Sequence, residues 1–409
     1  MADIVSVSNL TPEEVSPLLE LDGKGKPLVT INNFLQIMEH EKPYSQVYFN
    51  LMTGRPEIHS DGKILNWEDA DEAESRNFIE QHYRLHNRQK HEDALRIFMR
   101  NRAYNPLLNL VEDLKWDGNN RCELFLPEVM RSADTAYTRE VSRLIFSGGI
   151  NRLYSPGCKF DDVPVFIGPQ GSGKSTIVNW LALNDDYFCI TKLMDGSQKS
   201  IEALLGAWII EIPELSAFKK TDVESLKAFV TARFDKYRLP WGINPSVLPR
   251  RCIFIGTGNN PRFLTDKSGN RRFYPVDVHS DGYALYRDEK EIKTFIAQCW
   301  AEARERYKAG DMLPYANPAL VSEYRAAQAE AQEDDWRIGI CEQIAEEAER
   351  GQLLCVKGIY HRLYPETLNE PSAKDSREIG EILDNLFQLE RVGLQYCKPF
   401  GRQRCWQKR

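Results

Sequence analysis

Eight consecutive residues constrain this chain more than any other feature. Gly168-Pro169-Gln170-Gly171-Ser172-Gly173-Lys174-Ser175 fit the pattern G-x-x-x-x-G-K-[ST] at every fixed position. The apolar run Val163-Pro164-Val165-Phe166-Ile167 precedes them and an amphipathic stretch, residues 175–183, follows. The glycines therefore fall between a strand and a helix. Such a loop wraps its backbone N–H groups around phosphate, since a Cβ would block the approach. The helix N-terminus adds the positive end of its dipole. The expected nucleotide contacts are Gly168, Pro169, Gln170, Gly171, Ser172, Gly173, Lys174, Ser175 and Thr176. In that reading Lys174 reaches the β- and γ-phosphates of ATP, and the Ser175 hydroxyl is a ligand of Mg²⁺.

Two further apolar runs, Trp208-Ile209-Ile210-Glu211-Ile212 and Cys252-Ile253-Phe254-Ile255, alternate with helical stretches near 175–183, 200–205 and 222–233. Near-continuous apolar strands separated by helices predict an α/β core built on a parallel sheet covered on both faces. We assign it to residues 125–315, with a helix over 138–152 that buries Val141, Leu144, Ile145 and Ile150. Residues 1–124 form an N-terminal region, mixed α+β and then helical. It has an acidic helix start at Trp67-Glu68-Asp69, and Ala94, Leu95, Ile97 and Phe98 are read as one helix face. Residues 316–409 begin with an acidic linker. A helix opened by Ser376 and carrying Ile379, Ile382, Leu383, Leu386 and Phe387 follows, then two strand pieces at 393–398 and 403–407. With the helical spacing of Trp336, Ile340 and Ile344, this is the outline of a small winged-helix-like module.

Composition narrows the function class. With 42% hydrophobic and 28% charged residues in 409, the chain is an ordinary globular protein and not a disordered or fibrous one. No apolar run approaches the ~20 residues that span a bilayer, so no membrane partner is expected. Nine cysteines without a C-x-x-C pair predict neither a zinc site nor a disulfide framework, and fit a cytoplasmic location. The net charge of −7 excludes a uniformly basic nucleic-acid coat, but the charges are segregated. Residues 227–251 hold six basic side chains and one acid, residues 391–409 hold six and none, and residues 321–350 carry nine acids against three basic residues.

A nucleotide site needs an acid for the metal and for water. Glu211 ends its apolar strand and Glu214 follows past Pro213. A regular strand would set the two on opposite faces, but proline breaks the pleat. Glu211 is assigned to the metal and Glu214 to the attacking water, with the division between them open. Asn259, at the tip of the next strand, is read as a γ-phosphate sensor, the alternative being a polar turn. Arg271 and Arg272 follow another turn; either they cap a surface loop or one reaches a γ-phosphate across a subunit boundary.

Several motifs occur in order: Leu114-Lys115-Trp116-Asp117-Gly118, Pro156-Gly157-Cys158-Lys159-Phe160-Asp161, the glycine loop, Ile209-Ile210-Glu211-Ile212-Pro213-Glu214-Leu215, Asp235-Lys236-Tyr237-Arg238-Leu239-Pro240 and Gly269-Asn270-Arg271-Arg272-Phe273. The set resembles the virulence-associated E (VapE) family of phage and prophage proteins, which are similar to superfamily 3 helicases within the AAA+ ATPases. The resemblance spans roughly residues 100–280. It implies a P-loop NTPase core of AAA+ type, ATP bound between the subunits of a ring, usually six, and Arg271 or Arg272 supplied by the neighbour. The implied function is an ATP-hydrolysing DNA helicase or translocase in replication of a phage or mobile element, with phage or host replication proteins as possible partners. This chain departs from the family's usual Thr-Thr-Asn at Thr257-Gly258-Asn259. It departs again at Gln198-Lys199, which therefore receive no role. No primase metal motif occurs in the first hundred residues.

Superfamily 3 relatives place a pore hairpin in the interval that holds Lys227, Lys236 and Arg238 here. These three, expected to meet single-stranded DNA in the pore, and Arg402 and Arg404 of the basic tail, expected to meet duplex backbone, are the candidate DNA contacts. Tyr237 and Trp241 are candidates for base stacking. The alternative function is an ATP-dependent origin-binding or loading protein without unwinding activity; a small-molecule P-loop kinase would leave the paired arginines unexplained.

Overall fold

Strands of the N-terminal region come first: β1 (Val47–Asn50), β2 (Arg55–Ser60), β3 (Lys63–Asn66) and β4 (Ala103–Tyr104), in the order β3-β2-β1-β4. They are seen in a computed structural model that describes residues 7–192, 196–215, 220–237, 246–260, 270–281, 288–331, 336–366, 369–386 and 389–408. Helices Ile31–His40, Asp69–Tyr83 and Arg88–Asn101 supply Phe34, Ile37, Ile79, Ala94, Leu95 and Phe98 to one cluster. Ile97 does not join it and is 41% exposed. The buried stripe runs through His91, Ala94, Leu95, Phe98 and Met99, three and four residues apart, which leaves Ile97 on the solvent side.

Seven strands follow: β5 (Val163–Ile167), β6 (Phe188–Ile190), β7 (Ile209–Ile212), β8 (Phe234–Tyr237), β9 (Ser246–Pro249), β10 (Ile253–Gly258) and β11 (Phe273–Asp277). Five of them build a parallel sheet in the order β11-β5-β10-β7-β6, and β8 and β9 pair as an antiparallel hairpin. Every residue of β5, β7 and β10 is buried, as a parallel sheet covered on both faces requires. Helix Ala136–Tyr154 buries Val141, Leu144, Ile145 and Ile150 completely. At the centre of this core Trp208 and Trp300 lie 4.1 Å apart. Their indole N–H groups donate to the carbonyls of Gly149 (3.1 Å) and Leu181 (2.9 Å).

The strand order fixes where a ligand can go. From β5 the chain leaves for the far edge at β6, returns through β7 and β10, and crosses β5 to reach β11. Open α/β sheets take ligands at the carboxyl ends of strands whose connections diverge, which here are β5 and β10.

The chain divides into two compact units, Met1–Ala331 and Gln332–Arg409. The division falls after residue 331 and not at 315, because helix Val321–Glu330 packs on the sheet edge of the first unit. Gln328 Nε2 donates to the Phe273 carbonyl (3.0 Å), and the ring of Tyr324 meets that of Tyr274 at 5.3 Å. The second unit runs helix Trp336–Glu347, β12 (Leu353–Cys355), helices Val356–Leu363 and Ala373–Asn385, then β13 (Leu389–Cys397) and β14 (Gly401–Lys408). Its antiparallel sheet has the order β12-β14-β13. The third helix starts one turn earlier than expected. Ser372, not Ser376, is the N-cap, with Asp375 returning the capping bond. Phe387 lies outside the described residues. No helix among the described residues is long and apolar enough to cross a membrane.

Candidate functional site

The glycine loop leaves β5 at Ile167. Only glycine fits at position 168, where a Cβ would sit 2.5 Å from the Val278 carbonyl oxygen. Gly171 (φ 84°) and Gly173 (φ 81°) take left-handed backbone, which side chains disfavour. The second of these turns the chain into helix Lys174–Leu181. Ser280 Oγ donates to the Ser172 carbonyl (2.7 Å) and ties the loop from behind. Pro169, Gln170 and Gly171 form the exposed rim, with Ser175 also exposed and Thr176 half-buried.

Lys174 is 8% exposed. Its ammonium donates to the carbonyls of Gly168 and Pro169 (both 2.8 Å), to Ser172 Oγ (3.2 Å) and to Asn259 Oδ1 (3.2 Å). Burial pulls this ammonium below lysine's usual range, with the charge of Glu211 acting the other way. Asn259 thus meets the loop from the end of β10.

Glu211, fully buried on β7, accepts two hydroxyl hydrogen bonds on Oε1. Ser175 Oγ donates from the helix start and Thr257 Oγ1 from β10, both at 2.6 Å. Its Oε2 is buried without a partner. The donor set, one hydroxyl and one carboxylate with an open oxygen, is of the kind Mg²⁺ takes when phosphates and waters complete its shell. No group of three or more His, Cys, Asp or Glu side chains that could hold a metal occurs among the described residues. Thr257 is a site residue that the sequence alone does not mark. Its signal was a hydroxyl on the strand that ends at Asn259, and it is legible only once β10 is known to lie between β5 and β7.

Glu214 stands apart from this cluster. Its carboxylate is 63% exposed and pairs with Lys192 Nζ at 2.6 Å, which holds it below the usual carboxylate range. Arg271 and Arg272 lie just before β11, in a short turn of 3₁₀-helix. Phe273 is in register with Val163 and Asp277 with Ile167, so the arginines sit at the opposite end of the sheet from the glycine loop, about 13 Å of strand away. Arg272 is held by Asp161 (3.2 Å) and Thr231 Oγ1 (3.0 Å). Arg271 is exposed.

Two cations of the basic interval are buried in the fold. Lys227 is 8% exposed, which withdraws it from phosphate contact. Arg250, also buried, grips Asp235 with two bonds of 2.7 Å and lies 4.3 Å over the Phe229 ring. Tyr237 is buried and donates to Glu202 (2.5 Å), so it is not available to stack on bases. Lys236 remains exposed on β8. Arg238 and Trp241 lie outside the described residues. In the second unit Arg402 and Arg404 are both exposed on β14.

Residues 111–335 match the virulence-associated protein E-like domain. No curated protein matches the chain. Among solved structures the chain is similar to the apo C-terminal region of NrS-1, at 12% identity and a TM-score of 0.48, covering 89% of this chain and 96% of that one. An A form of the same apo region gives 12% identity, a TM-score of 0.46 and the same coverage.

Proposed function

Because the chain belongs to the virulence-associated protein E-like family, we propose that it is an ATP-hydrolysing, ring-forming DNA motor in the replication of a phage or other mobile element. The observation that carries this reading is the convergence of Lys174, Ser175, Glu211, Thr257 and Asn259 at the carboxyl ends of β5, β7 and β10. That is the place where open α/β sheets take their ligands.

In this reading the loop from Gly168 to Thr176 is a P-loop that binds the ATP phosphates through backbone N–H groups, and Lys174 neutralises their charge. Mg²⁺ supplies further charge stabilisation at phosphate oxygens when bound. Ser175 and Glu211 would hold it, and the partnerless Glu211 Oε2 fits that task. Asn259 orients the attacking water or senses the γ-phosphate. Glu214 polarises water only by leaving Lys192, an exposed pairing of the kind that is easily broken. Arg271, at the far end of the sheet from its own loop, serves a neighbouring copy in a ring, usually of six, while Arg272 is braced by Asp161. Lys236, on the β8–β9 hairpin, contacts single-stranded DNA in the pore. The second unit, with three helices and a three-stranded antiparallel sheet among its described residues, acts as a winged-helix module whose Arg402 and Arg404 meet DNA.

The test is ATP turnover with DNA present, in wild-type protein and Lys174→Ala, beside native mass with a nucleotide analogue. Loss of turnover in the variant and nucleotide-dependent assembly are expected; turnover that survives Lys174→Ala overturns the site. Strand displacement on forked DNA separates a motor from a loading protein, since ATP-dependent binding without displacement favours the latter.

A further inference from the structure

β13 and β14 pair in a register that sets Leu394 opposite Arg404 and Tyr396 opposite Arg402. Side chains alternate across a strand, so these four share one face of the hairpin, while Cys397 and Cys405 turn inward and are buried. Trp406 lies two residues beyond Arg404 on the same strand and is covered by helix Ala373–Asn385, donating to Asp384 Oδ1 at 2.8 Å. Beyond it the face is bare: Leu394 is 58% exposed and Tyr396 68%. The four carry two positive charges and no negative one.

Phosphate alone explains the arginines and leaves the other two side chains without a purpose. A large aromatic and a leucine held in water directly across from guanidinium groups suit a polyanion that also offers apolar, stackable surface. Duplex DNA hides its base faces inside the stack and presents mainly charge to such a hairpin. An unpaired strand presents both, with phosphates for Arg402 and Arg404 and a base face for Tyr396.

We infer that this hairpin face binds unpaired single-stranded DNA, with Tyr396 stacking on a base, Leu394 packing beside it and the two arginines on flanking phosphates. This rests on the reading of the second unit as a DNA-contacting module and narrows its ligand from duplex backbone to single strand.

The experiment uses the full chain, a fluorescein-labelled oligothymidylate and a blunt duplex, with affinity read by anisotropy over a salt series. Tyr396→Ala is expected to weaken single-strand binding ~5- to 100-fold, the range of one lost base stack, and to leave duplex binding unchanged. Tyr396→Phe restores it. Arg402→Ala combined with Arg404→Ala weakens both ligands and lowers the salt slope by roughly one to two. A single strand carrying 5-iododeoxyuridine, irradiated with the wild-type protein, gives a peptide adduct at Tyr396. Absence of that adduct, or equal loss of duplex and single-strand binding in Tyr396→Ala, overturns the inference. So does a change of oligomeric mass in Tyr396→Ala with nucleic-acid affinity intact, which marks the face as a contact between copies. If the double arginine variant binds both ligands like wild type, the DNA-contact reading of the module itself fails.

Discussion

Ser175 and Glu211 meet across 2.6 Å, and Thr257 reaches the same carboxylate oxygen at the same distance. Helix start, β7 and β10 are thereby locked on one buried carboxylate whose second oxygen has no partner. Hydrogen bonds to a charged acceptor hold about 1.5–3 kcal/mol each, so the geometry is stiff before any ligand arrives.

Glu211→Gln keeps the volume and can still accept both hydroxyls, but removes the charge. ATP turnover should fall by ~100-fold or more if the carboxylate stabilises charge in the reaction. The urea midpoint should fall by no more than the equivalent of about 1–3 kcal/mol of stability, the cost of the amide N–H group buried where Oε2 has no partner. A coupled ATPase assay and a urea titration decide it; full turnover in the variant removes Glu211 from the site.

Arg271→Ala and Arg272→Ala should separate. Arg272 and its partner Asp161 are each 17% exposed, so losing Arg272 should cost about 1 kcal/mol of stability. Arg271 is exposed and its loss should leave stability alone. Turnover should disappear in Arg271→Ala with nucleotide affinity kept. Mixing Arg271→Ala with Lys174→Ala protein should restore part of the activity, because each copy supplies what its neighbour lacks. No recovery in the mixture argues against a site shared between copies.

Two glycines of β10 should respond in opposite ways. A Cβ on Gly256 would sit 2.2 Å from Leu215 Cδ1 and 3.1 Å from Val165 Cγ2, whereas one on Gly258 meets nothing within 4 Å. Gly256→Ala should destabilise by about 1–3 kcal/mol through overpacking. Gly258→Thr should be neutral or stabilising by up to about 1 kcal/mol, a β-branched residue being favoured in a strand. Thermal unfolding of both variants is the measurement.

His91 predicts a pH dependence. It is 1% exposed, its Nε2 shares a 2.8 Å hydrogen bond with Ser75 Oγ, and that hydroxyl pairs with Tyr44 at 2.7 Å. Nδ1 has no partner. Burial, with Arg76 assisting and Glu92 opposing, pulls its pKa down to about 4. The unfolded chain takes up this proton near pH 6.5, so between about 6.5 and 4 it holds more protons than the folded one. Stability therefore falls as pH drops through that window, by roughly 3 kcal/mol in full. Asp162, raised to about 6 by burial, works in the opposite sense below pH 6. It is common to wild type and His91→Gln and cancels in their difference. Denaturant titrations of both proteins at about pH 7 and about pH 5 should show wild type losing more; parallel losses would refute the assignment.

Much of the core could be read directly. Val163–Ile167 reads as a strand because an uninterrupted apolar run ends in glycine, and the structure has the same bounds. Periodicity identified Val141, Leu144, Ile145 and Ile150 as buried, because helix geometry converts spacing into a face. Exposure is not legible along the chain where it depends on partners distant in sequence. Lys227, Tyr237 and Arg250 look like a nucleic-acid surface in one dimension. In three, the first is buried, the second is held by Glu202 and the third by Asp235. Charge along a chain does not say which way a side chain points.

The local chemistry belongs to the sequence itself: a glycine loop between strand and helix, a lysine and serine at its end, and acids after an apolar run are all set by neighbours along the chain. The order of strands belongs to the tertiary structure alone. By inserting β10 between β5 and β7, the fold brings Thr257 to Glu211 and Asn259 to Lys174 and places Arg271 at the opposite end of the sheet, while Glu214 pairs outward with Lys192. Those meetings join residues tens of positions apart, and only the register of buried parallel strands decides them.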